Sequence, residues 1–157
     1  MLQLHGSKRS AIGSLVLVAL CATLFSFSEK IGSDSFTIYL NDKLMIQQFI
    51  TPETNVKSIT LDVSDANDVL KIHYSHCGQI GVNRSISIQD RKEKVLKTWQ
   101  FPDSNFPGIG FKVNELLAAA KNIQDKDLRL VYSSRELPKG KVLAAIIVSD
   151  ESKASLK

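Results

Sequence analysis

Residues 59–75 read ITLDVSDANDVLKIHYS. Ile59, Leu61 and Val63 alternate with Thr60, Asp62 and Ser64. After a turn over 65–68, Leu70, Ile72 and Tyr74 alternate with Lys71, His73 and Ser75. A period of two sends alternate side chains to opposite faces of a strand, so both runs predict half-buried strands. An amphipathic helix would instead repeat its apolar residues every three to four positions.

The same period extends outward in both directions. On the N-terminal side Phe36, Ile38 and Leu40 alternate with Thr37 and Tyr39, and Asn41-Asp42 supplies a turn before Leu44-Met45-Ile46. This predicts a hairpin. Ile46 and Phe49 fall out of phase, which predicts a β-bulge near Gln47-Gln48, and Pro52 ends the strand.

On the C-terminal side a loop over 78–83 precedes Ile86 and Ile88. The charged run DRKEK (90–94) reads as a solvated hairpin loop leading to Val95, Trp99 and Phe101. These three share a phase, so Trp99 is expected in the core. Residues 101–110 (FPDSNFPGIG) read as a loop by their proline and glycine content. Gly108-x-Gly110 has no apolar strand before it and no Lys-Ser or Lys-Thr after it, so it is not read as a phosphate loop. Asn114 is the expected N-cap of a short helix over 115–121 (ELLAAAK), with Leu116, Leu117 and Ala120 on its docking face. Leu128, Leu130 and Tyr132 then alternate with Arg129 and Val131. VLAAIIV (142–148), apolar on both faces, is expected to be central in its sheet.

Residues 70–75 (LKIHYS) and 128–133 (LRLVYS) echo each other at an offset of 58. Two similar hairpins paired across a sandwich would produce such an echo, and so would the general likeness of alternating strands, which is the simpler account. Together the strands predict a mainly β fold. It is an antiparallel β-sandwich or partly open barrel of about seven to eight strands with one short helix. A doubly wound α/β fold would need several crossover helices.

The N-terminal segment reads as an address. Lys8 and Arg9 precede an uncharged run over 11–27 (AIGSLVLVALCATLFSF), and Ser26-x-Ser28 sits where signal peptidase cuts. Residues 1–28 are therefore expected to be a signal peptide, 29–150 a single β-sandwich domain and 151–157 a polar tail. Retention of the run as an anchor is the alternative. The expected location is secreted or periplasmic, with no membrane span after cleavage.

Charge and cysteine content narrow the function classes. Lys8 and Arg9 leave with the segment and no acidic residue does, so 20 basic residues against 16 acidic become 18 against 16, a net +2. That balance argues against a nucleic-acid partner. Cys21 leaves too, so Cys77 cannot form an internal disulfide.

His73, His76 and Cys77 form the one cluster of nucleophilic or metal-capable side chains. Along a strand His73 and Cys77 share a face roughly 13 Å apart, with His76 opposite. Only a tight turn at Cys77-Gly78 would bring His76 and Cys77 together. No metal site, cofactor or catalytic set is expected. The unusual segment 74–84 (YSHCGQIGVNR) makes His73, His76, Cys77 and Arg84 the candidate ligand-binding residues, and Asn83-Arg84-Ser85 fits a glycosylation sequon. The expected function is an exported binding or interaction module for a protein or small-molecule ligand. A cysteine-dependent redox or metal-handling role for His76 and Cys77 is the alternative.

Overall fold

The structure, a computed structural model, describes residues 33–103, 108–121, 123 and 127–149. The expected signal segment 1–28, the tail 151–157 and positions 104–107 of the expected loop lie outside them. The described residues form a mainly β fold of two sheets and one helix.

The first sheet comprises β1 (Ser35–Leu40), β2 (Lys43–Phe49), β4 (Val69–Ser75) and β7 (Gly108–Lys112), in the order β2-β1-β4-β7. The second comprises β3 (Lys57–Leu61), β5 (Ser85–Gln89), β6 (Val95–Gln100), β8 (Asp127–Ser133) and β9 (Lys141–Val148), in the order β3-β9-β8-β5-β6. Nine strands stand where about seven to eight were expected. One neighbouring pair, β3 with β9, is parallel. As expected, β9 is internal, lying between β3 and β8.

Alternation builds the core. Phe36, Ile38, Leu70, Ile72, Ile109 and Phe111 are buried from the first sheet, and Ile59, Leu61, Ile86, Ile88, Leu130 and Ile146 from the second. The helix α1 (Val113–Ala120) buries Val113, Leu116 and Ala120. It lies by the rim of the two sheets at β6 and β7, where Trp99 stacks on Phe111 with ring centroids 3.8 Å apart. Glu115 accepts from Trp99 Nε1 at 2.9 Å and Lys97 Nζ at 2.8 Å, tying the helix to β6.

Several local expectations need correcting. The β1–β2 hairpin turns at Asn41, whose φ is 54°, but the register shifts at Ile38/Tyr39 opposite Met45 and runs regularly through Gln47 and Gln48. Ile46 is buried while Phe49 is 67% exposed, so the two face opposite ways without a bulge between them. Strand β3 stops at Leu61, and Val63 is 69% exposed in a 3-10 turn. Asp62 and Asp65 close that turn reciprocally: Asp62 accepts from Ser64 N at 2.7 Å and Asp65 from Asp62 N at 3.0 Å. Reciprocal capping satisfies the donors a strand would have left to a neighbour.

A register shift at Ile88/Gln89 pairs Gln89 with Val95, leaving Val95 exposed and Trp99 half-buried rather than fully in the core. Gly108, Ile109 and Gly110 belong to β7 instead of a loop. The helix begins two residues earlier than expected, with Lys112 at the N-cap, so Asn114 is not the cap. The strand after β4 does not return beside it. β5 joins the other sheet, so only β8 and β9 make a hairpin of the two echoed units.

Candidate functional site

The echoed strands β4 and β8 lie in opposite sheets, and the last tyrosine of each turns inward. Tyr74 and Tyr132 stack with centroids 4.1 Å apart and planes 7° apart. The chain beyond β4 reverses at once. His76 N donates to Gln79 O at 2.9 Å and Gln79 N to His76 O at 3.0 Å, with Cys77 at φ 52° and Gly78 at φ 88° between them. Two successive positive φ values define the tight hairpin turn that glycine at the second position permits. This turn carries His76 inward and leaves Cys77 exposed.

The His76 ring sits against both tyrosines and joins three separate stretches of chain. Its Nδ1 lies 3.3 Å from Asp34 Oδ2, and its Nε2 lies 3.1 Å from Tyr132 Oη and 3.1 Å from Ser134 Oγ. Tyr74 donates its hydroxyl to Asp34 Oδ2 at 2.8 Å, and Cys77 Sγ approaches Asp34 Oδ1 at 3.5 Å. Burial first, then the Asp34 carboxylate, holds the Tyr74 phenol far above its ordinary range. Burial also raises that of Tyr132. Gly81 covers the ring so closely that a Cβ there would lie 2.5 Å from Tyr132 Oη and 2.7 Å from His76 Nε2.

Ser134, His76 and Asp34 thus stand in the order of a nucleophile, a base and an orienting carboxylate. The chemistry stops there. Ser134 is 5% exposed, Gly81 roofs the imidazole, and Tyr132 shares the same Nε2. The adjacent amides are engaged as well, Ser134 N on Leu137 O at 3.4 Å and Arg135 N on Val82 O at 2.8 Å. Among the described residues, neither of these two amides is free to meet an oxyanion at Ser134. The array is a largely buried polar clamp between the sheets and the 78–83 loop, with Asp34 at its more open end.

The four candidate residues therefore separate. His76 and Cys77 share Asp34. Arg84 is 2% exposed, with Nη2 donating to Pro102 O at 3.3 Å, so its guanidinium faces inward. His73 lies on the outer face of the first sheet. Among the described residues no group of three His, Cys, Asp or Glu is placed to hold a metal ion.

That outer face carries the open concavity. Its rows follow from the register: Leu44, Tyr39, Lys71 and Gly110 lie side by side across β2, β1, β4 and β7, and Gln47, Thr37, His73 and Gly108 in the next row. The glycines of β7 carry no side chain, so the face drops beside Lys71 and His73 into a trough of about 520 Å³. A Cβ on Gly110 would sit 3.1 Å from Leu70 O and 3.4 Å from a Val69 methyl. Tyr39 and His73 meet along the trough with centroids 5.6 Å apart. Lys71 Nζ bonds Asp42 Oδ1 at 3.1 Å on its rim, and Asn41 Oδ1 accepts from Val69 N at 2.9 Å. Sequence reasoning found His73 but missed Tyr39, Asp34, Tyr132 and Ser134. Extending the offset of 58 by one position pairs His76 with Ser134 and was the available signal for the clamp.

No family model matches the chain, and no curated protein matches it. Among solved structures it is similar to the extracellular domain of BT4673 from B. thetaiotaomicron, described in one case as a one-component system and in another as a hybrid two-component system. Identity is 15% in both, over 76% and 75% of this chain, with TM-scores of 0.38 and 0.37. The matched region spans only 16% and 15% of those chains.

Proposed function

We propose that the protein is an exported binding module whose ligand surface is the trough on the outer face of the first sheet. The observation that carries this reading is the contrast between two polar sites. The Asp34–His76–Ser134 clamp is largely buried, with Gly81 over its imidazole, whereas the trough is open, has an apolar base and is bordered by a few polar groups. Ligand sites combine these features, an apolar wall with a small number of convergent hydrogen-bonding groups. Export rests on the order of basic, apolar and small residues in segment 1–28. Titrating the isotope-labelled chain with a chemically diverse fragment set tests the surface. Amide shifts clustering at Tyr39, Lys71, His73 and Gly110 are expected, and hits confined to other faces would overturn the assignment.

Exposure of Cys77 at the tip of its turn supports a second reading, thiol-dependent redox chemistry with His76. The group closing on Sγ is the Asp34 carboxylate, whereas reactive thiols favour electropositive surroundings. The binding reading is therefore preferred.

A further inference from the structure

We infer that the trough takes a neutral saccharide, with a pyranose ring laid against Tyr39. This rests on the reading of the trough as the binding surface and adds the class of ligand. Tyr39 is half-buried, and its hydroxyl has no hydrogen-bond partner among the described residues. The ring packs at a tilt against His73 and offers an apolar surface ending in a polar group, the combination that suits a partly wet contact. Charge selects the ligand further. Lys71 and Asp42 already neutralise each other at 3.1 Å on the rim, so the trough holds a donor and an acceptor side by side with no charge left over from the pair. An anionic ligand at Lys71 would also meet the exposed Asp42 carboxylate beside it, a like charge. A purely aromatic or aliphatic ligand would strip water from Lys71, Asp42 and the Asn41 amide without replacing their hydrogen bonds, a desolvation cost that outweighs the small gain from a made bond. A sugar ring meets both demands. Its C–H face covers the tyrosine, and its vicinal hydroxyls each donate and accept, so they can bond the carboxylate and the ammonium at once. Gly110 supports the same fit, because any side chain there would fill the space beside Lys71 where the ring lies.

The test uses the full chain and measures amide shifts with cellotetraose, maltotetraose and xylotetraose, beside tetragalacturonate as the anionic counterpart and indole as the apolar one. The expected result is saturable shifts at Tyr39, Lys71, His73 and Gly110 with at least one neutral tetrasaccharide. Tyr39→Ala should weaken that binding by about tenfold or more and Tyr39→Phe by no more than about threefold. Should Tyr39→Ala fail to fold, Lys71→Met, which keeps the stem and removes the rim donor, serves instead and should also weaken binding. Binding of tetragalacturonate alone at these amides would overturn the neutral character of the ligand, and binding of indole alone its saccharide class, while either would leave the trough as the binding surface. Absence of trough shifts with every probe, or shifts unchanged by the variants, would overturn this inference; fragment hits at the trough would then still support the broader reading.

Discussion

Tyr74 and Tyr132, 58 positions apart in sequence, lie face to face across the two sheets, 4.1 Å between ring centroids. Their hydroxyls diverge, Tyr74 to Asp34 and Tyr132 to His76, and His76 returns to Asp34. The result is a closed polar ring around an aromatic stack. Its parts are coupled, so removing one group leaves another buried without its bond.

That coupling is measurable. Tyr74→Phe and Asp34→Ala are each expected to destabilise the protein, and together by less than their sum, with a coupling energy of about 0.5–3 kcal/mol. Urea denaturation of the two single variants and the double variant checks this. Additivity would show that the 2.8 Å bond between them contributes nothing specific.

Gly81 is the tightest point of the clamp. Gly81→Ala is expected to cost about 1–3 kcal/mol, because the added methyl meets the Tyr132 hydroxyl and the His76 imidazole rather than the pliable end of a long side chain. Thermal unfolding reads the loss. An unchanged Tm would mean that the 78–83 loop is not seated on the ring.

Alkaline pH addresses the same stack from another side. The folded chain holds the Tyr74 and Tyr132 phenols protonated beyond the ordinary value of 10.0. Raised folded values contribute stability that is fully present below that pH and is lost as pH rises past it. Tyrosinate absorbance from these two residues should therefore develop together with loss of circular dichroism in a stepwise base titration. Ionisation of all three tyrosines in a chain that stays folded would contradict it.

Glu115 behaves in the opposite sense. Bonds from Lys97 and Trp99 lower its carboxyl below 4.5, so its contribution is present above that pH and is lost as pH falls through the lowered folded value. Wild type should exceed Glu115→Gln in stability near neutral pH, and the two should converge in acid. Denaturation midpoints across a pH series test this. A constant difference between the two would remove the ionised carboxylate from the account.

Architecture was legible wherever alternation was regular. Ile59 to Leu61, Leu70 to Tyr74 and Leu128 to Tyr132 place their side chains as a period of two dictates. Reading failed where a local device outweighed the period. The reciprocal carboxylates at Asp62 and Asp65 end β3 early and turn Val63 outward. Added residues at Met45 and Leu96 reset the phase, so Val95 lost its expected burial. Glycine content at Gly108 and Gly110 signalled a loop, yet these glycines occupy an edge strand where missing side chains shape a surface.

The site was less legible. Turn chemistry at Cys77-Gly78 placed His76 and Cys77 together, as the sequence allowed. Asp34 reaches the imidazole from just before β1 through strand pairing, which no spacing along the chain encodes, and Ser134 reaches it from the end of β8, signalled only by the offset of 58. Tyr39 gave no signal either, because a tyrosine on the polar face of an alternating strand looks the same whether it faces bulk water or a concavity.

The parallel pairing of β3 with β9 has a consequence for biogenesis. Residues 57–61 emerge from the ribosome long before 144–148, yet β9 must slide between β3 and β8 to complete the second sheet. Until it does, both strands present open edges of the kind that recruit foreign strands. A chain moving across a membrane in an extended state would reach its destination before that gap could close. Truncation ahead of residue 141 removes β9, leaves β3 and β8 with unpaired edges, and should therefore promote aggregation.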